Sequence, residues 1–178
     1  YRLVGSEMCI RDRNISMKHL ILIRHGQSEW NQQKRFTGWV DVGLTDKGRA
    51  EAKKAGELIK EKKIKLDSFY SSYQKRANDT LKIVMKELNE DENLITKKWQ
   101  LNERHYGELT GLNKEDMKKK YGEEKIHQFR RSWDVKPGAL DRKSPYHPLN
   151  IETYKDIPVS DIPDTESLKD THKRVVDC

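Results

Sequence analysis

The residues with the clearest chemical potential are Arg24 and His25, which directly follow a short apolar run and precede Gly26. A histidine whose neutral ring nitrogen faces a phosphorus atom can act as a nucleophile. A neighbouring arginine can hold phosphate oxygens with its planar guanidinium group, and a glycine lets the backbone approach a ligand closely. Residues 24–31 therefore predict a site for phosphoryl chemistry.

A second polar segment, residues 71–77, follows another apolar run and includes Arg76. We expect Arg76 to lie in the first turn of a helix, where backbone N–H groups and the helix dipole favour an anion. The sequence contains neither GxxxxGK[ST] nor GxGxxG, the common phosphate-binding loops. Side chains must therefore carry much of any phosphate binding.

The composition of the chain narrows the class of protein. Its 178 residues suit one domain, and a formal net charge of +7 suits an anionic partner such as a phosphate ester, a nucleic acid or an acidic surface. Cys9 and Cys178 belong to no CxxC or Cys/His ligand pattern, so we expect neither a disulfide framework nor a metal site. Because no apolar run is long enough to span a membrane and no signal peptide is evident, we expect a cytoplasmic protein.

The spacing of the apolar residues predicts the elements that position these groups. Residues 18–26 predict a strand that is buried on both faces, and residues 66–72 and 94–99 predict two further strands. Residues 45–59 and 77–88 have the apolar spacing of amphipathic helices. This alternation of strands and helices predicts an α/β fold with a mostly parallel sheet.

The two ends of the chain and its second half differ from this pattern. Residues 113–133 predict a basic amphipathic helix, and a final helix is expected from about Thr165. Residues 134–165 contain all five prolines, which predicts an irregular segment packed over other structure rather than forming core. Residues 1–16 have no clear periodicity, and we interpret them as a non-native or disordered leader before a natural start at Met17.

The motif at residues 24–26 resembles the signature of the histidine phosphatase superfamily. Further segments resemble the 2,3-bisphosphoglycerate-dependent phosphoglycerate mutase family in particular, and the resemblance extends from Met17 to about Val176. General phosphatases of the superfamily usually lack the block at residues 102–107. The segments that continue the match are 35–39, 44–48, 101–107, 111–114, 130–131 and 164–168.

The resemblance implies a fold and a reaction for residues 17–178. The fold would be a three-layer α/β sandwich with a mutase-specific insertion at about residues 101–165. The reaction would interconvert 2-phosphoglycerate and 3-phosphoglycerate in glycolysis and gluconeogenesis. His25 would accept a phosphoryl group from the cofactor 2,3-bisphosphoglycerate, and Glu103 would act as general acid and base.

The resemblance also implies a ring of binding residues. Phosphoryl transfer spreads negative charge over the equatorial oxygens, so clustered cations can stabilise the transition state without a metal. A mutase needs more of them than a phosphatase because it must retain a bisphosphorylated intermediate. The residues matched are Arg24, Ser28, Asn31 and Arg76 near the nucleophile, Thr37 and Gly38 in a substrate loop, and Arg104, Tyr106, Lys114, Arg130 and Arg131 around the second phosphate and the carboxylate.

The sequence departs from the family in two places. Gln27 stands where many members have glutamate, and the chain reaches Cys178 before the family's second motif, a His-Gly-Asn sequence on a later strand. We therefore expect a C-terminally truncated gene product that is weak or inactive by itself. The parent protein is expected to be an active mutase, and the resemblance implies a homodimer or tetramer for it.

Three alternative functions remain open at this point. A histidine phosphatase acting on phosphate esters would share residues 24–26, but the block at residues 101–114 together with Arg130 and Arg131 favours the mutase. A nucleic-acid-binding module is suggested by the sequence pI of about 9.3 and the basic residues 113–131, although no RNP-like, zinc or helix-turn-helix pattern occurs. A non-catalytic interaction protein is disfavoured because His25, Arg24, Arg76 and Glu103 are all present together.

Overall fold

The computed structural model describes residues 19–178, so the interpretation of residues 1–16 as a leader lies outside the described range. Short 3₁₀ helices connect several of the main elements. In chain order, these elements are α1 (Glu29–Gln32), α2 (Asp46–Glu61), β1 (Phe69–Ser71), α3 (Lys75–Leu88), β2 (Ile95–Lys97), α4 (Lys114–Tyr121), α5 (Glu123–Arg131) and α6 (Leu168–Val176).

The two strands form a parallel pair in which Phe69 lies opposite Ile95. Helix α3 connects them, and α2 packs along α3. The helices approach closely at Gly56, where an added Cβ would lie 2.8 Å from the Cβ of Glu87. The predicted α/β class and both of these strands are confirmed, and the polar residues 72–74 connect β1 directly to the start of α3.

The strand predicted over residues 18–26 is wrong for the part of this run that the structure describes. Residues 19–27 adopt no regular secondary structure, and the side chains of Leu20 and Leu22 are 84% and 85% exposed. A buried strand needs a neighbour for its backbone hydrogen bonds and an apolar layer for its side chains. Among the described residues, β1 pairs only with β2, so this run has the composition of a strand without a partner.

Helices α2, α3 and α6 confirm the predicted helical segments. Helix α2 begins after Thr45, whose hydroxyl accepts a hydrogen bond from Gly48 N at 3.1 Å. Helix α6 begins slightly later than expected because Ser167 and Asp170 form a capping box. None of the helices between residues 19 and 178 is long and apolar enough to cross a membrane.

The predicted helix over residues 113–133 is divided into α4 and α5. Gly122 separates them with a φ of 84°, a conformation that ends one helix and starts the next. Ile126 and Phe129 on α5 are buried against Phe36, while much of the remaining surface of both helices is charged. The two short helices therefore cover the residues that follow α1.

The proline-rich residues 134–165 are irregular, as predicted, but they also form core. Tyr154, Ile157 and Ile162 are buried in one cluster with Trp39. The Tyr154 hydroxyl donates a hydrogen bond to the Trp39 carbonyl at 2.6 Å. The expectation that this segment only covers other structure was wrong because three of its apolar side chains complete a cluster around a residue distant in sequence.

Candidate active site

His25 is held against the N-terminal parts of α2 and α3. Gly26 N donates to the Thr80 hydroxyl at 3.2 Å, and that hydroxyl donates to the Arg76 carbonyl at 2.7 Å. A Cβ at Gly26 would overlap the carbonyl oxygen of Gly48 in the first turn of α2. The glycine following His25 is therefore required by the close contact between this loop and α2.

The protonation state of His25 follows from its contacts. Its Nδ1 lies 2.7 Å from the Gly26 carbonyl oxygen, which can only accept, so Nδ1 carries the hydrogen and Nε2 holds the unprotonated lone pair. Burial lowers the pKa of His25, and the charges of Arg76 and Arg24 lower it further, against the opposing effects of the Gly26 carbonyl and Glu103. The arrangement favours a neutral imidazole with Nε2 available as a nucleophile.

Arg76 links the nucleophile to a carboxylate. Its guanidinium group is fully buried, and Nη1 donates to the Val40 carbonyl at 2.9 Å. Its Nη2 lies within hydrogen-bond distance of three acceptors, Gly38 O at 2.8 Å, Gln74 Oε1 at 3.0 Å and Glu103 Oε2 at 2.9 Å. This network fixes the cation in place, and the side chain that it pairs with is Glu103, the predicted acid and base.

Glu103 combines a fixed carboxylate oxygen with access to solvent. Its side chain is 35% exposed, and its backbone N–H donates to Gln74 Oε1 at 3.2 Å. The negative charge of Glu103 also acts on His25, whose pKa it raises. The carboxylate therefore belongs to the same site as the imidazole, where a partly exposed group could exchange a proton with a substrate hydroxyl.

Arg104 presents buried donors without partners. Its Nη2 donates to the Phe129 carbonyl, and its guanidinium group lies 5.0 Å from the centre of the Tyr106 ring. Within the described part of the chain, Nε and Nη1 of Arg104 have no hydrogen-bond partner although both are buried. Because an unsatisfied buried guanidinium group is costly, these donors fit a bound anion such as the second phosphate of a bisphosphorylated ligand.

Lys114 and Arg130 bring charge from the predicted insertion to this site. Burial lowers the pKa of Lys114, and Arg130 and Arg24 lower it further, while Glu103 raises it. Positive groups that lower one another's pKa values form a cluster of cations, and a bound anion would stabilise such a cluster. Lys114 at the start of α4 therefore interacts electrostatically with Arg130 at the end of α5 and with Arg24 and Glu103 beside His25.

Tyr106 is influenced by both Glu103 and the cations Arg104, Arg130 and Arg131. Burial raises its pKa, as does Glu103, and the positive charges of Arg104, Arg130 and Arg131 act in the opposite direction. The phenol is therefore neutral and able to donate a hydrogen bond. Arg131 is exposed at the end of α5, so it is the least enclosed of these cations.

Four of the predicted binding residues have structural contacts. Ser28 and Asn31 form the capping box of α1, with Asn31 N to Ser28 Oγ at 3.3 Å and Ser28 N to Asn31 Oδ1 at 3.2 Å. Thr37 is buried, and Gly38 has a φ of 55° and offers its carbonyl to Arg76. In this structure they shape the loops beside the nucleophile.

Sequence reasoning missed three residues that hold the site together. Gln74 lies inside the polar segment after β1, Glu166 lies inside the matched residues 164–168, and Arg174 had no sequence signal. Gln74 donates from Nε2 to the Gly38 carbonyl at 2.8 Å, and Arg174 forms a bidentate ion pair with Glu166. Among residues 19–178 no group of three His, Cys, Asp or Glu side chains is arranged to hold a metal ion.

Comparison with known proteins identifies the class to which this site belongs. The sequence profile of the histidine phosphatase superfamily, branch 1, matches residues 20–147. The solved structure of Bacillus stearothermophilus YhfR superposes on 86% of this chain and 61% of its own, with a TM-score of 0.58 at 24% identity, and therefore shares its fold. The chain belongs to the histidine phosphatase superfamily.

Its curated relatives place the chain more narrowly. It is 67% identical over 160 residues to the 2,3-bisphosphoglycerate-dependent phosphoglycerate mutase of Pelagibacter ubique, covering 90% of this chain and 67% of that protein. It is 49% identical over 160 residues to the protein of the same name from Bacteroides fragilis, of which it covers 64%. Within the superfamily it falls among these mutases, and it spans about two thirds of their length.

Proposed function

We propose that this protein interconverts 2-phosphoglycerate and 3-phosphoglycerate, a step of glycolysis and gluconeogenesis, through a phosphohistidine at His25. The observation that carries the proposal is that one cation, Arg76, acts on both His25 and Glu103. Its charge lowers the pKa of His25, and its Nη2 binds the carboxylate of Glu103 at 2.9 Å. A neutral nucleophile and an acid–base carboxylate are thus arranged around one fixed cation.

The proposed mechanism uses the residues in distinct roles. His25 attacks phosphorus through Nε2 while the Gly26 carbonyl holds the hydrogen on Nδ1. Glu103 gives a proton to the departing hydroxyl oxygen and takes one back in the reverse direction. Arg24 and Arg76 offset the charge that develops on the phosphoryl oxygens. 2,3-Bisphosphoglycerate, when bound, supplies the phosphoryl group that primes the enzyme.

The mutase is favoured over a simple phosphatase by the cations around Tyr106. Nε and Nη1 of Arg104, which find no partner among residues 19–178, suit the second phosphate or the carboxylate of a phosphoglycerate. Lys114 and Arg130 add to this positive region. A ligand with two or three anionic groups can contact both the residues around His25 and the cations Arg104, Lys114 and Arg130. A phosphomonoester needs only the residues around His25.

We also propose the partners and the cellular location of the reaction. The partners are small phosphoglycerates, and the protein is proposed to work in the cytoplasm without a metal and without a nucleic-acid or membrane partner. Dimers or tetramers are the assemblies to test in the full-length protein, as the family resemblance implies. A nucleic-acid role would instead require tight, salt-sensitive binding of a generic oligonucleotide.

The direct test is conversion of 3-phosphoglycerate to 2-phosphoglycerate with and without 2,3-bisphosphoglycerate. Because the chain spans 67% of the Pelagibacter relative, the assay includes a chimera carrying the remaining segment of that relative. The proposal predicts conversion that depends on 2,3-bisphosphoglycerate and is lost in Arg104→Ala. Release of inorganic phosphate without isomer exchange would instead indicate a phosphatase.

A further inference from the structure

We propose that the buried ion pair between Glu166 and Arg174 positions Glu103 for proton transfer. This inference rests on the proposed function and deepens it. The pair acts through the backbone on either side of Glu103, while Arg76 holds the carboxylate itself. Glu166 and Arg174 are therefore positioning residues.

The backbone around Glu103 has no regular hydrogen-bond ladder. Residues 102–106 belong to neither a helix nor a strand. A buried backbone group outside regular structure must find its partner elsewhere, and side chains are the usual alternative. Glu103 N donates to Gln74 Oε1 at 3.2 Å, which fixes the residue on one side.

Arg174 fixes the other side of Glu103. Its Nη2 donates to the Glu103 carbonyl at 3.2 Å, and its Nη1 donates to the Gln100 carbonyl. The guanidinium group is itself locked by Glu166, with Nε to Oε1 at 2.7 Å and Nη2 to Oε2 at 3.0 Å. Arg174 in α6 therefore bonds the carbonyls of Gln100 and Glu103 while its guanidinium group is held by the Glu166 carboxylate.

Glu166 holds the backbone of His105, two residues after Glu103. Its Oε2 accepts from His105 N at 2.8 Å, and its own N–H donates to the His105 carbonyl at 3.1 Å. These two bonds fix the backbone N–H and carbonyl groups of His105. With the bonds from Gln74 and Arg174, the backbone groups on both sides of Glu103 are held by side chains from distant segments.

The burial of the pair explains why it can fix a position. The side chains of Arg174 and Glu166 are only 10% and 4% exposed, and the bidentate geometry leaves the guanidinium group little freedom to rotate. Glu103 is consequently anchored at its backbone and, through Arg76, at its carboxylate. Because misplacement by about 1 Å can cost about 100-fold in rate, loss of the pair is expected to affect the reaction.

The chemistry distinguishes positioning of Glu103 from a general role in folding. When a phosphate ester reacts, the P–O bond breaks as the bond from phosphorus to His25 Nε2 forms, and a proton from Glu103 goes to the leaving oxygen. An alkyl alkoxide needs that proton, whereas a dinitrophenolate leaves without it because it is a weak base. Misplacing Glu103 therefore slows transfer from an alkyl ester far more than transfer from an aryl phosphate.

The experiment compares two phosphoryl donors, 2,3-bisphosphoglycerate and 2,4-dinitrophenyl phosphate. The rate of His25 phosphorylation is followed by intact mass in Arg174→Ala, Arg174→Lys and the exposed control Lys173→Ala. For Arg174→Ala we expect a loss of about tenfold or more with the alkyl donor and little change with the aryl donor. Arg174→Lys, which can still donate to the Glu103 carbonyl, should recover part of the rate.

Equal losses with both donors in Arg174→Ala would overturn the proposal, because a purely structural defect does not depend on the leaving group. Amide hydrogen exchange gives an independent readout. Arg174→Ala should lose protection at residues 103–105 while α2 and α3 keep theirs, and unchanged exchange there would also overturn it. If neither the unsubstituted protein nor the chimera extended with the remaining Pelagibacter segment reacts with either donor, the proposed function fails. Hydrogen exchange alone then decides whether Arg174 positions Glu103.

Discussion

At the scale of single residues, Arg76 performs two tasks in the candidate site. Its charge is the strongest of the nearby charges that lower the pKa of His25, and its Nη2 holds Glu103 Oε2. Its bonds to the Val40 and Gly38 carbonyls use backbone groups that cannot move independently, and a further bond goes to the Gln74 side chain. A substitution at Arg76 would therefore disturb nucleophile and acid together, so the roles of His25 and Glu103 must be tested separately.

Replacing Glu103 with glutamine tests the acid–base role. The amide oxygen can still accept from Arg76, but the side chain can no longer give or take a proton. We expect turnover to fall by about 10²- to 10⁴-fold with little change in the midpoint of thermal unfolding. The matched control is Glu108→Gln, an exposed residue whose carboxylate accepts a hydrogen bond from Gly138 N at 3.3 Å. A Glu103→Gln variant of normal activity would exclude this residue as the acid.

The pH dependence of the reaction should reflect the lowered pKa of His25. Because the neutral imidazole is the nucleophile, kcat/KM falls as pH decreases through the folded pKa, which lies below the ordinary value of 6.5. Arg24 is one of the charges that lower it, so Arg24→Gln should move the acidic limb to higher pH. A pH–rate profile checks this, and a limb at or above 6.5 in the unsubstituted protein would contradict it.

At the scale of elements, local signals predicted α2, α3, β1 and β2. The strand prediction at residues 18–26 was wrong for residues 19–26 because a strand also needs a pairing partner elsewhere in the chain. The Thr45 cap and the apolar spacing of each helix are properties of neighbouring residues. The apolar run at residues 19–23 has strand-forming composition, but pairing depends on a partner elsewhere in the chain. Sequence likewise missed the break at Gly122, because a helical pattern continues on both sides of it.

The contact between the His25 loop and α2 predicts a strong effect at Gly26. A Cβ there would overlap the Gly48 carbonyl, which is backbone and cannot rotate away. Gly26→Ala is expected to lower the free energy of unfolding by at least about 1–3 kcal/mol in urea titrations. In the control Gly43→Ala, the only atom of residues 19–178 close to the new Cβ is the end of the flexible Glu29 side chain at 3.3 Å, so stability should change much less.

At the scale of the whole molecule, the site assembles from segments far apart in sequence. The family resemblance predicted His25, Glu103 and the surrounding cations because their motifs can be recognised one by one. Gln74 and Arg174 could not be predicted this way, because their importance lies in hydrogen bonds to backbone groups that only the folded chain brings near. Motifs predict groups that react, whereas supporting contacts require the three-dimensional structure.

Buried His105 links the stability of the molecule to pH. Burial, with a smaller effect from His147, lowers its pKa to about 3, and its Nδ1 accepts from Gly107 N at 3.0 Å. The unfolded chain binds a proton at this residue below about pH 6.5, whereas the folded chain does not. Between about pH 6.5 and pH 3, this residue therefore costs about 1.4 kcal/mol of stability for each unit by which the pH is lowered.

Urea titrations at pH 7 and pH 5 measure that dependence. His105→Gln should show a shallower loss of unfolding free energy between the two pH values than the unsubstituted protein. His127→Gln, which changes an exposed histidine on α5, is the control and should leave the slope unchanged. An identical slope in His105→Gln would show that this histidine is protonated in the folded state as readily as in the unfolded chain.

The central claim is that His25 accepts a phosphoryl group, and intact mass tests it most directly. Three samples are incubated with 2,3-bisphosphoglycerate: the protein, the chimera extended with the Pelagibacter segment, and His25→Ala. Their intact masses are then measured by mass spectrometry. We predict a gain of one phosphoryl group that is absent from His25→Ala. The same gain in His25→Ala, or no gain in either the protein or the chimera, would contradict the assignment of His25 as the nucleophile.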